Sequence, residues 1–242
     1  ARSALSRSGI MKDGLCLNPY GGCTHACRYC YAVFMRKFHN EPAPWGEFVI
    51  VKENILALLD AELTKRRKPV KVWLSSVTDC YQPIEKRLKL TRGCAERLRA
   101  YGYPLTVLTK SPLVLRDLDL YRGEGAEVGL TVTTDRDDVA RLMEERAAPP
   151  QKRIDALKAL GDAGIATYAF VGPALPMDPA RLARMLHAAT GRVLIDRMNY
   201  EDRVQALYRA KGWDRFLTDG YFREVKDAFT AEFGEGNVEC CW

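Results

Sequence analysis

Three cysteines near the N-terminus, Cys23, Cys27 and Cys30, have the spacing C-x3-C-x2-C. Cysteine thiolates are the usual protein ligands of iron–sulfur clusters. Three of them on one short loop can bind three irons of a cubane 4Fe–4S cluster and leave the fourth iron without a protein ligand. The motif therefore predicts an iron–sulfur centre with an open iron, where a small molecule can bind and react.

Two other uses of these cysteines are open from the spacing alone. A structural zinc site could use His25 or a distant cysteine as its fourth ligand, although such sites usually combine two cysteine pairs separated by a longer loop. Disulfide bonds are the other use, but a chain without a secretory signal is expected to stay reduced. We therefore expect the eight cysteines to be reduced and the protein to be cytoplasmic.

The sequence around the cysteines resembles the radical S-adenosylmethionine (SAM) superfamily, since the aromatic Tyr31 directly follows Cys30. Five stretches resemble its branch of spore photoproduct lyases and DNA repair photolyase-like proteins: residues 18–32, 78–85, 90–92, 108–112 and 128–135. The resemblance runs to about residue 175. It implies a 4Fe–4S cluster on the three cysteines, SAM bound to the open iron, and an electron donor such as flavodoxin or ferredoxin.

Several polar residues follow or end predicted strands, where they can bind SAM. A zwitterionic amino acid and a ribose need hydroxyls and a cation, because buried polar groups are costly without partners. The candidates are Ser76, Thr78, Asp79, Lys110, Thr131 and Thr133. The resemblance implies SAM contacts for Thr78, Lys110 and Thr131, and Asp79 suits a ribose hydroxyl or the substrate. The threonines at 131 and 133 are alternatively ordinary strand residues, since strands favour threonine.

Two tyrosines flank the last cysteine of the motif. The resemblance implies that Tyr31 lies near the SAM adenine and that tyrosines here, Tyr29 included, take part in the radical pathway. Packing of the loop against the barrel is the alternative role for both rings.

Strands and helices alternate along the chain. Strands are predicted at 13–17, 70–74, 105–109, 126–133, 165–171 and 193–198, and helices at 55–63, 91–101, 112–121, 136–145, 151–163 and 179–189. This alternation predicts an α/β fold with a parallel sheet whose carboxyl edge collects ligands. Six units match the partial (β/α)6 TIM-like barrel that the resemblance implies, followed by a C-terminal helix that contains Phe222, Val225 and Phe229.

We expect a single radical SAM domain over residues 1–242. Residues 1–12 form an N-terminal extension, predicted as a loop or short helix over a barrel end. The (β/α)6 core occupies 13–198, and C-terminal helices with a cysteine-containing tail occupy 199–242.

Composition is that of a globular protein, with 47% hydrophobic and 28% charged residues. The longest apolar runs, at 105–108 and 165–173, are far shorter than the roughly 20 residues of a membrane span, so we expect no membrane association. A net charge of +6 permits a nucleic acid partner without requiring one. The basic run 65–68 ends a predicted helix, where cations complement the macrodipole.

Five cysteines lie outside the motif. Cys16 and Cys94 are predicted to be small buried residues, whereas Cys80 lies in a loop at the catalytic end. Cys240 and Cys241 lie in a tail after Gly234 and Gly236. If that tail folds over the barrel mouth, one of these two thiols can return a hydrogen atom to a substrate radical, because the S–H bond is weak. Together with Cys80 they could instead hold a second metal, and a frayed tail is the remaining alternative.

Two charged pairs are assigned from spacing. Glu85 and Arg92 are seven residues apart and are expected to pair across a helix surface. Glu145 and Arg146 follow the fourth strand, where they either form a structural salt bridge or approach the SAM carboxylate.

The resemblance implies cleavage of SAM to a 5′-deoxyadenosyl radical that abstracts a hydrogen atom, in a lyase-like reaction on a nucleic acid base or lesion. Ser76 stands where the photoproduct lyases have their hydrogen-donating cysteine, a departure that argues against thymine-dimer repair itself. Radical modification of a peptide or small molecule is a second hypothesis. A non-enzymatic iron–sulfur or zinc-binding protein is the third.

Overall fold

The computed structural model describes residues 1–9, 13–66 and 68–241. One sheet has the strand order β1-β2-β5-β6-β7-β8-β9-β10. Its strands are β1 (Leu5–Arg7), β2 (Leu15–Leu17), β5 (Val72–Leu74), β6 (Leu105–Thr109), β7 (Ala126–Thr131), β8 (Ala166–Val171), β9 (Val193–Ile195) and β10 (Val238–Cys240). All neighbours in it are parallel except β1 and β2. A small antiparallel sheet joins β3 (Tyr20–Gly21) to β4 (Ile50–Val51).

Ten α-helices in the described residues follow or separate these strands. They are α1 (Met35–His39), α2 (Ile55–Leu63), α3 (Glu85–Leu88), α4 (Leu90–Ala100), α5 (Leu118–Tyr121), α6 (Asp137–Met143), α7 (Pro150–Asp162), α8 (Pro179–His187), α9 (Gln205–Lys211) and α10 (Asp219–Phe233). Short 3-10 helices cover Tyr31–Phe34, Pro112–Asp117, Glu201–Arg203, Asp214–Leu217 and Glu235–Asn237. Within the described residues, no helix combines the length and apolar character needed to cross a membrane.

Each central strand presents alternate residues to the two faces of the sheet. One set is fully buried in the hydrophobic core: Val72, Leu74, Leu105, Val107, Val128, Leu130, Val193 and Ile195. The intervening residues of the same strands line a cavity on the concave face, among them Trp73, Thr106, Leu108, Thr131 and Leu194. The period-2 pattern therefore separates core residues from cavity residues along these central strands.

The predicted partial barrel is confirmed, and all six predicted parallel strands are present. The sheet nevertheless has eight strands, because both chain ends add one. The prediction of a loop or short helix for residues 1–12 is wrong at Leu5–Arg7, which pairs antiparallel with β2 and covers its free edge. Residues 10–12 lie outside the described part of the chain.

The C-terminal tail forms the other edge strand. Val238 pairs with Val193 and Cys240 with Ile195 in parallel register, and the Cys241 amide donates to the Ile195 carbonyl at 2.9 Å. The alternative of a frayed tail is therefore wrong for residues 238–241. Trp242 lies outside the described residues.

The predicted Glu85–Arg92 side-chain pair is wrong. The two residues lie on different helices, because Lys89 between them has a left-handed backbone with φ of 53°. Glu85 instead accepts hydrogen bonds from the backbone amides of Thr91 (3.0 Å) and Arg92 (3.3 Å), at the start of α4. The Arg92 guanidinium pairs with three other carboxylates, those of Glu96, Asp117 and Asp119.

Two further helix predictions need adjustment. The segment 112–121 begins as a 3-10 helix and becomes α-helical only over Leu118–Tyr121. The basic run 65–68 follows the last helical residue, Leu63, and Arg67 within it is outside the described residues.

Candidate functional site

A cavity of about 800 Å³ occupies the concave face of the sheet and reaches the carboxyl ends of its strands. Cys23, Cys27 and Cys30 all line it, although the first two are buried and only Cys30 is partly exposed. The structure therefore brings the three motif cysteines to one wall of a single cavity.

The conformation of the cysteine loop depends on Gly22. Its φ is +76°, and a Cβ there would lie 2.5 Å from the Phe48 ring. The Gly22 carbonyl accepts hydrogen bonds from the Thr78 hydroxyl and from Gln82 Nε2, the latter at 3.2 Å. Gln82 Oε1 also accepts the Thr24 amide at 3.0 Å. The loop after β5 thus holds the cysteine loop through backbone groups.

Asn18 joins the start of the same loop to β5. Its Oδ1 accepts the amides of Ser76 at 3.0 Å and Val77 at 3.2 Å. The Ser76 hydroxyl accepts from the Cys16 thiol at 3.0 Å, and the Ser76 carbonyl accepts from the Tyr31 hydroxyl. Cys16 is buried as predicted, but it also serves as a hydrogen-bond donor to a residue of the cavity wall.

The three motif thiols are protonated when no metal is bound. Burial raises the pKa of Cys27 to about 12 and raises those of Cys23 and Cys30, so all three keep their protons at neutral pH. The charge of Lys110 partly opposes this shift at Cys27 and Cys30. A bound iron would replace these protons and stabilise the thiolates.

Among residues 1–9, 13–66 and 68–241, no group of three or more His, Cys, Asp or Glu side chains converges as ligands of one ion must. Cysteines that hold a cubane each bind a different iron, so they surround a volume and do not converge on one point.

Glu144 connects the cysteine loop to the barrel wall. It is buried, and its carboxylate accepts from the Tyr29 hydroxyl, pairs with Arg153 Nη2 at 2.6 Å and lies 3.8 Å from Lys110 Nζ. Its backbone forms a bridge with Cys27. Burial raises the pKa of Glu144, but the charges of Arg153 and Lys110 outweigh burial and lower it to about 2. The carboxylate is therefore ionised at neutral pH.

Lys110 is a cation held at the cavity wall. Its Nζ lies 5.6 Å from the centroid of the Tyr29 ring, and its only ion pair within the described residues is the long one with Glu144. The side chain lines the cavity next to the cysteines. The ammonium group can therefore contact an anionic group of a ligand without first breaking a tight salt bridge.

Asp79 is occupied by protein groups. Its carboxylate accepts the Thr109 hydroxyl at 2.6 Å and the amides of Tyr81 and Lys110, both at 2.8 Å, and lies 3.2 Å from His25 Nε2. Burial raises the pKa of Asp79, but the charge of His25 and these hydrogen bonds outweigh burial and lower it. Asp79 lines the cavity, yet its oxygens already position the end of β6.

The two candidate threonines, Thr131 at the end of β7 and Thr133 two residues beyond it, differ in whether they line the cavity. Thr131 lines the cavity, and its carbonyl accepts from Arg153 Nη1 at 3.1 Å. Thr133 is buried, does not line the cavity, and its hydroxyl has no partner in the described residues. Both threonines are buried, and of the two only Thr131 lines the cavity.

The cysteines outside the motif separate into two groups. Cys241 lines the cavity, whereas Cys240, one residue earlier on β10, does not. Cys80 is fully buried in the hydrophobic core, where its thiol contacts the Leu74 carbonyl at 3.7 Å. The expectation that Cys80 acts at the catalytic end is corrected, because its side chain points into the core. Cys94 is a core residue, as predicted.

The predicted pair Glu145–Arg146 lies away from the cavity. The two exposed side chains approach to 3.8 Å, and Arg146 Nη1 donates to the Gly46 carbonyl at 2.9 Å. Neither residue lines the cavity, so they are not placed to contact SAM there.

Four residues of the site were not predicted. Glu144 and Arg153 lack a local signal, since the Tyr29–Glu144 contact joins residues 115 apart in the chain. Asn18 and Gln82 lie within the stretches that carry the family resemblance, and that resemblance was the available signal for them.

The cavity mouth carries aromatic rings beside a basic residue. Tyr31 and Tyr200 line the cavity, and their rings stack with centroids 6.3 Å apart. Phe34 continues the row at 6.5 Å from Tyr31. The Arg203 guanidinium lies 5.7 Å from the Tyr200 centroid and makes no salt bridge within the described part of the chain. Glu201 and Asp202 adjoin Arg203.

The chain is similar in sequence to known proteins. Over 161 residues the chain is 44% identical to an uncharacterized protein of Methanocaldococcus jannaschii, covering 66% of this chain and 60% of that relative. Over 169 residues it is 35% identical to an uncharacterized protein of Mycobacterium tuberculosis, covering 66% and 49%. The chain thus spans about half to three fifths of the length of these relatives.

Solved structures share the fold. A spore photoproduct lyase complexed with dinucleoside spore photoproduct has a TM-score of 0.63 and 14% identity, over 92% of this chain and 74% of that chain. A lyase mutant with bound AdoMet has a TM-score of 0.63 and 15% identity, over 94% and 76%. Streptococcus suis SuiB bound to precursor peptide SuiA has a TM-score of 0.61 and 10% identity, over 96% and 49%. At these identities the likeness concerns the fold.

The radical SAM superfamily model matches residues 17–189. The match includes the three cysteines, Lys110 and β5 to β8, which carry most of the cavity wall. The chain therefore belongs to the radical SAM superfamily, whose cofactors are a 4Fe–4S cluster and SAM.

Proposed function

We propose that this chain is a radical SAM enzyme that acts on a base or lesion of a nucleic acid. The observation that carries the proposal is the shared cavity, in which three cysteines adjoin the Lys110 ammonium and the ends of the parallel strands. When bound, the cluster and SAM supply a 5′-deoxyadenosyl radical that can remove a hydrogen atom from a substrate.

The residues of the site have separate tasks in this proposal. Cys23, Cys27 and Cys30 hold the cluster. Lys110 binds the SAM carboxylate, because its ammonium lines the cavity and has only a distant anionic partner. The Ser76 and Thr131 side chains line the same cavity and offer hydroxyls to the remaining polar groups of SAM.

Thr78 and Asp79 line the cavity but already bond to protein groups. The Thr78 hydroxyl bonds to the Gly22 carbonyl, and Asp79 bonds to the Lys110 amide, so both fix the backbone that carries direct ligands. Tyr31 remains the candidate for contact with the adenine, since its ring lines the cavity next to Cys30. Tyr29 is buried against Glu144 and therefore positions the loop. Its ring also lines the cavity, so its proposed part in the radical pathway can involve direct contact with a bound substrate.

A nucleic acid is the substrate class that the mouth supports best. Nucleobases of a single strand stack on aromatic side chains, and their phosphates attract arginine and lysine. Tyr31, Phe34 and Tyr200 provide exposed rings, and Arg203 provides a guanidinium with no carboxylate partner in the described residues. The fold occurs in a neighbour bound to a dinucleoside and in one bound to a peptide. The fold therefore does not select the substrate class, and the choice of a nucleic acid rests on the aromatic and basic residues at the cavity mouth.

Cys241 is the proposed hydrogen donor that replaces the cysteine missing at Ser76. Burial raises the pKa of Cys241 to about 11, so the thiol keeps the S–H bond that a donor needs. That S–H bond breaks as a C–H bond forms on the substrate radical, and one electron and one proton restore the thiol. The electron comes from the same donor class that reduces the cluster, a flavodoxin or ferredoxin. Cys240 does not line the cavity and is therefore the less favoured candidate for the hydrogen donor.

SAM binding tests the cofactor half of the proposal. We expect Lys110→Ala to lose at least about tenfold in SAM affinity with full iron content, since a charged hydrogen bond is worth about 1.5–3 kcal/mol. Lys158→Ala removes an equally charged, exposed side chain far from the cavity lining and serves as the control. Equal SAM affinity in wild type and Lys110→Ala contradicts the assigned role.

Nucleic acid binding tests the substrate half. Affinity for a short single-stranded DNA is expected to fall steeply between 50 and 200 mM salt, because neutralised phosphates release counterions. Arg203→Ala is expected to lower affinity and to reduce the salt slope by about one. Binding that does not respond to salt, or preferential binding of peptides, favours the alternative of peptide or small-molecule modification.

The tail assignment is tested by replacing Cys241 with serine. We expect SAM cleavage to persist while substrate turnover is lost, and Cys240→Ser to retain both. Turnover at the wild-type level in the double Cys240→Ser/Cys241→Ser variant, with unchanged iron content, contradicts a role for either thiol.

A further inference from the structure

Four exposed aromatic rings form one row that leads out of the cavity. The row begins with Tyr200, whose ring stacks on that of Tyr31. The Phe34 centroid follows at 6.5 Å from Tyr31, and the Phe38 centroid at 5.9 Å from Phe34. Among the residues that the structure describes, five large apolar side chains are exposed, and all but Tyr101 belong to this aromatic row. Exposed apolar side chains gathered in one patch mark an interaction site.

The two ends of the aromatic row differ in their relation to the cavity. Tyr31 and Tyr200 line it, whereas Phe34 and Phe38 do not. Phe34 is 42% and Phe38 74% exposed, so both rings are open to solvent. The row therefore continues the cavity wall onto the outer surface of the protein. We call its outer part, Phe34 and Phe38, the outer platform.

The outer platform is attached directly to the cysteine loop. The 3-10 helix Tyr31–Phe34 starts after Cys30, and α1 continues it. Arg36 fixes the turn that ends α1, because its Nη2 donates to the Pro42 carbonyl at 2.8 Å and its carbonyl accepts the Glu41 amide at 3.1 Å. Helix α1 has no buried side chain among its five described residues. It therefore presents a face to solvent that no other described element covers.

The chain around the outer platform is positively charged. Residues 14–40 contain no Asp or Glu, but they contain Arg28, Arg36 and Lys37. The guanidinium groups of Arg28 and Arg36 each donate to a backbone carbonyl, and within the described residues neither pairs with a carboxylate. Lys37 is exposed beside Phe38. The platform thus combines stacking surfaces with uncompensated positive charge, which complements a polyanion.

We propose that the outer platform binds unpaired nucleotides that flank the reacting one, so that the protein accepts a single strand or a locally unpaired segment and not an intact duplex. The inference rests on the proposed function for its choice of a nucleic acid. Phe34 and Phe38 stack on bases outside the cavity, and Lys37 neutralises a neighbouring phosphate.

The open faces and the spacing of the rings favour a single strand. Bases in a duplex are stacked about 3.4 Å apart and cover one another, so an exposed ring cannot stack on them. Centroid spacings of 5.9 and 6.5 Å along the row suit bases that are separated from one another. The continuity of the row with the cavity wall favours the substrate strand over a separate protein, because a strand on the platform leads directly to the cavity mouth.

The test compares TpT with an oligothymidylate of about six residues, with affinity for cluster-reconstituted protein measured by fluorescence anisotropy under nitrogen. Wild type is expected to bind the longer strand at least about tenfold more tightly, since each stacked base adds about 1–3 kcal/mol. Phe38→Ala is expected to weaken binding of the longer strand at least about fivefold. Tyr101→Ala removes the exposed ring outside the row and is the matched control, which keeps wild-type affinity.

Further variants separate stacking from apolar contact and from charge. Phe38→Leu keeps an apolar side chain without a ring, so we expect the same loss as in Phe38→Ala, whereas Phe38→Trp is expected to keep wild-type affinity. Lys37→Ala is expected to lower the salt slope for the longer strand by about 0.7. Lys158→Ala removes an exposed ammonium on α7 and is expected to leave that slope unchanged.

The inference is overturned by equal affinity of wild type for TpT and the longer strand, or by equal affinity of wild type and Phe38→Ala for the longer strand. Tighter binding of a hairpin duplex than of the single strand overturns it as well. Slower reduction of the cluster by a flavodoxin in Phe38→Ala, with unchanged affinity for the strand, overturns it by assigning the platform to an electron-donor protein.

Failure of this inference is distinguishable from failure of the proposed function. Binding of SAM and TpT by wild type, without any effect of the platform variants on the longer strand, overturns the inference alone. Strand binding that depends on Phe38, in a protein unable to cleave SAM, supports the platform and contradicts the enzyme proposal. Binding of neither TpT nor the longer strand contradicts the choice of a nucleic acid in the proposed function, and the inference with it.

Discussion

Replacement of Arg153 is predicted to lower the free energy of unfolding more than replacement of any exposed charged residue on the same helix. Arg153 lies on α7 and is 1% exposed, and its partner Glu144 is 2% exposed. Their 2.6 Å contact is one of several that Arg153 makes, because the guanidinium also donates to the carbonyls of Ala148 and Thr131. Arg153→Met keeps most of the apolar volume and removes all the donors.

The magnitude follows from the charge left behind. Loss of one partner of a buried ion pair typically costs about 3–5 kcal/mol, because the other charge stays buried without compensation. Glu144 keeps Tyr29 and the more distant Lys110, so we expect the lower half of that range, about 3–4 kcal/mol. In a chain of this size 1 kcal/mol corresponds to about 2–4 °C in Tm. The expected decrease in Tm is therefore about 6–16 °C.

Thermal unfolding followed by circular dichroism, on reconstituted protein under nitrogen, measures this decrease. Lys158→Met on the same helix is the matched control: Lys158 and its partner Asp162 are exposed at 61% and 67%, so we expect a change below about 2 °C. The double variant Arg153→Met/Glu144→Gln is expected to be more stable than Arg153→Met alone, since it removes the stranded charge. A Tm for Arg153→Met within 2 °C of wild type refutes the reasoning.

Three further predictions concern other parts of the fold. Gly22→Ala is expected to lower both the iron content and the Tm. Alanine at a positive φ costs about 1–2 kcal/mol, and its Cβ would overlap the Phe48 ring. Full iron loading of this variant contradicts the prediction. Arg192→Met is expected to speed hydrogen exchange of the Cys241 amide, which donates to the Ile195 carbonyl, about two- to fivefold, since loss of the 3.0 Å Arg192–Glu239 pair loosens β10 by up to about 1 kcal/mol. An unchanged rate argues that backbone pairing alone holds the strand. Burial raises the pKa of Glu127, but Lys71 and Thr106 outweigh burial and lower it. The stabilisation that ionised Glu127 gives the folded protein is therefore present above the pKa of about 4.3 that a glutamate has in the unfolded chain. It is lost as the pH falls through the lower pKa of Glu127 in the folded protein. The Tm difference between wild type and Glu127→Gln should therefore shrink below about pH 4, and a constant difference contradicts the assignment.

The cysteine site could be predicted because its members are close in sequence. Cys23, Cys27 and Cys30 lie within eight residues, so their spacing alone restricts the chemistry they can support. The parallel strands were likewise predictable, since runs such as 105–109 match an observed strand end to end. Local periodicity determines both features.

Contacts between distant segments were not predictable in the same way. Glu144 meets Tyr29 only because α6 ends beside the cysteine loop, and no local pattern encodes that meeting. Strand β10 is three residues long, and its pairing with β9 depends on the path of α10. Short strands carry too few residues for a periodic signal.

The predicted ligand roles of the polar residues changed for a related reason. Residue type indicated that Thr78 and Asp79 can bind a ligand, and their position after β5 is as expected. The structure shows that backbone groups of Gly22 and Lys110 already use their oxygens. The sequence identifies a polar side chain at the end of a strand. Whether backbone donors and acceptors nearby already bond to that side chain depends on the tertiary structure.

The most direct test of the central claim combines iron content with SAM cleavage. Wild type and Cys94→Ala, which alters a core cysteine, are reconstituted under nitrogen beside the three single alanine variants of Cys23, Cys27 and Cys30. We predict about four irons per chain and 5′-deoxyadenosine formation with reductant for wild type and Cys94→Ala, and loss of both in the three motif variants. Full iron loading together with SAM cleavage in any motif variant would contradict the account.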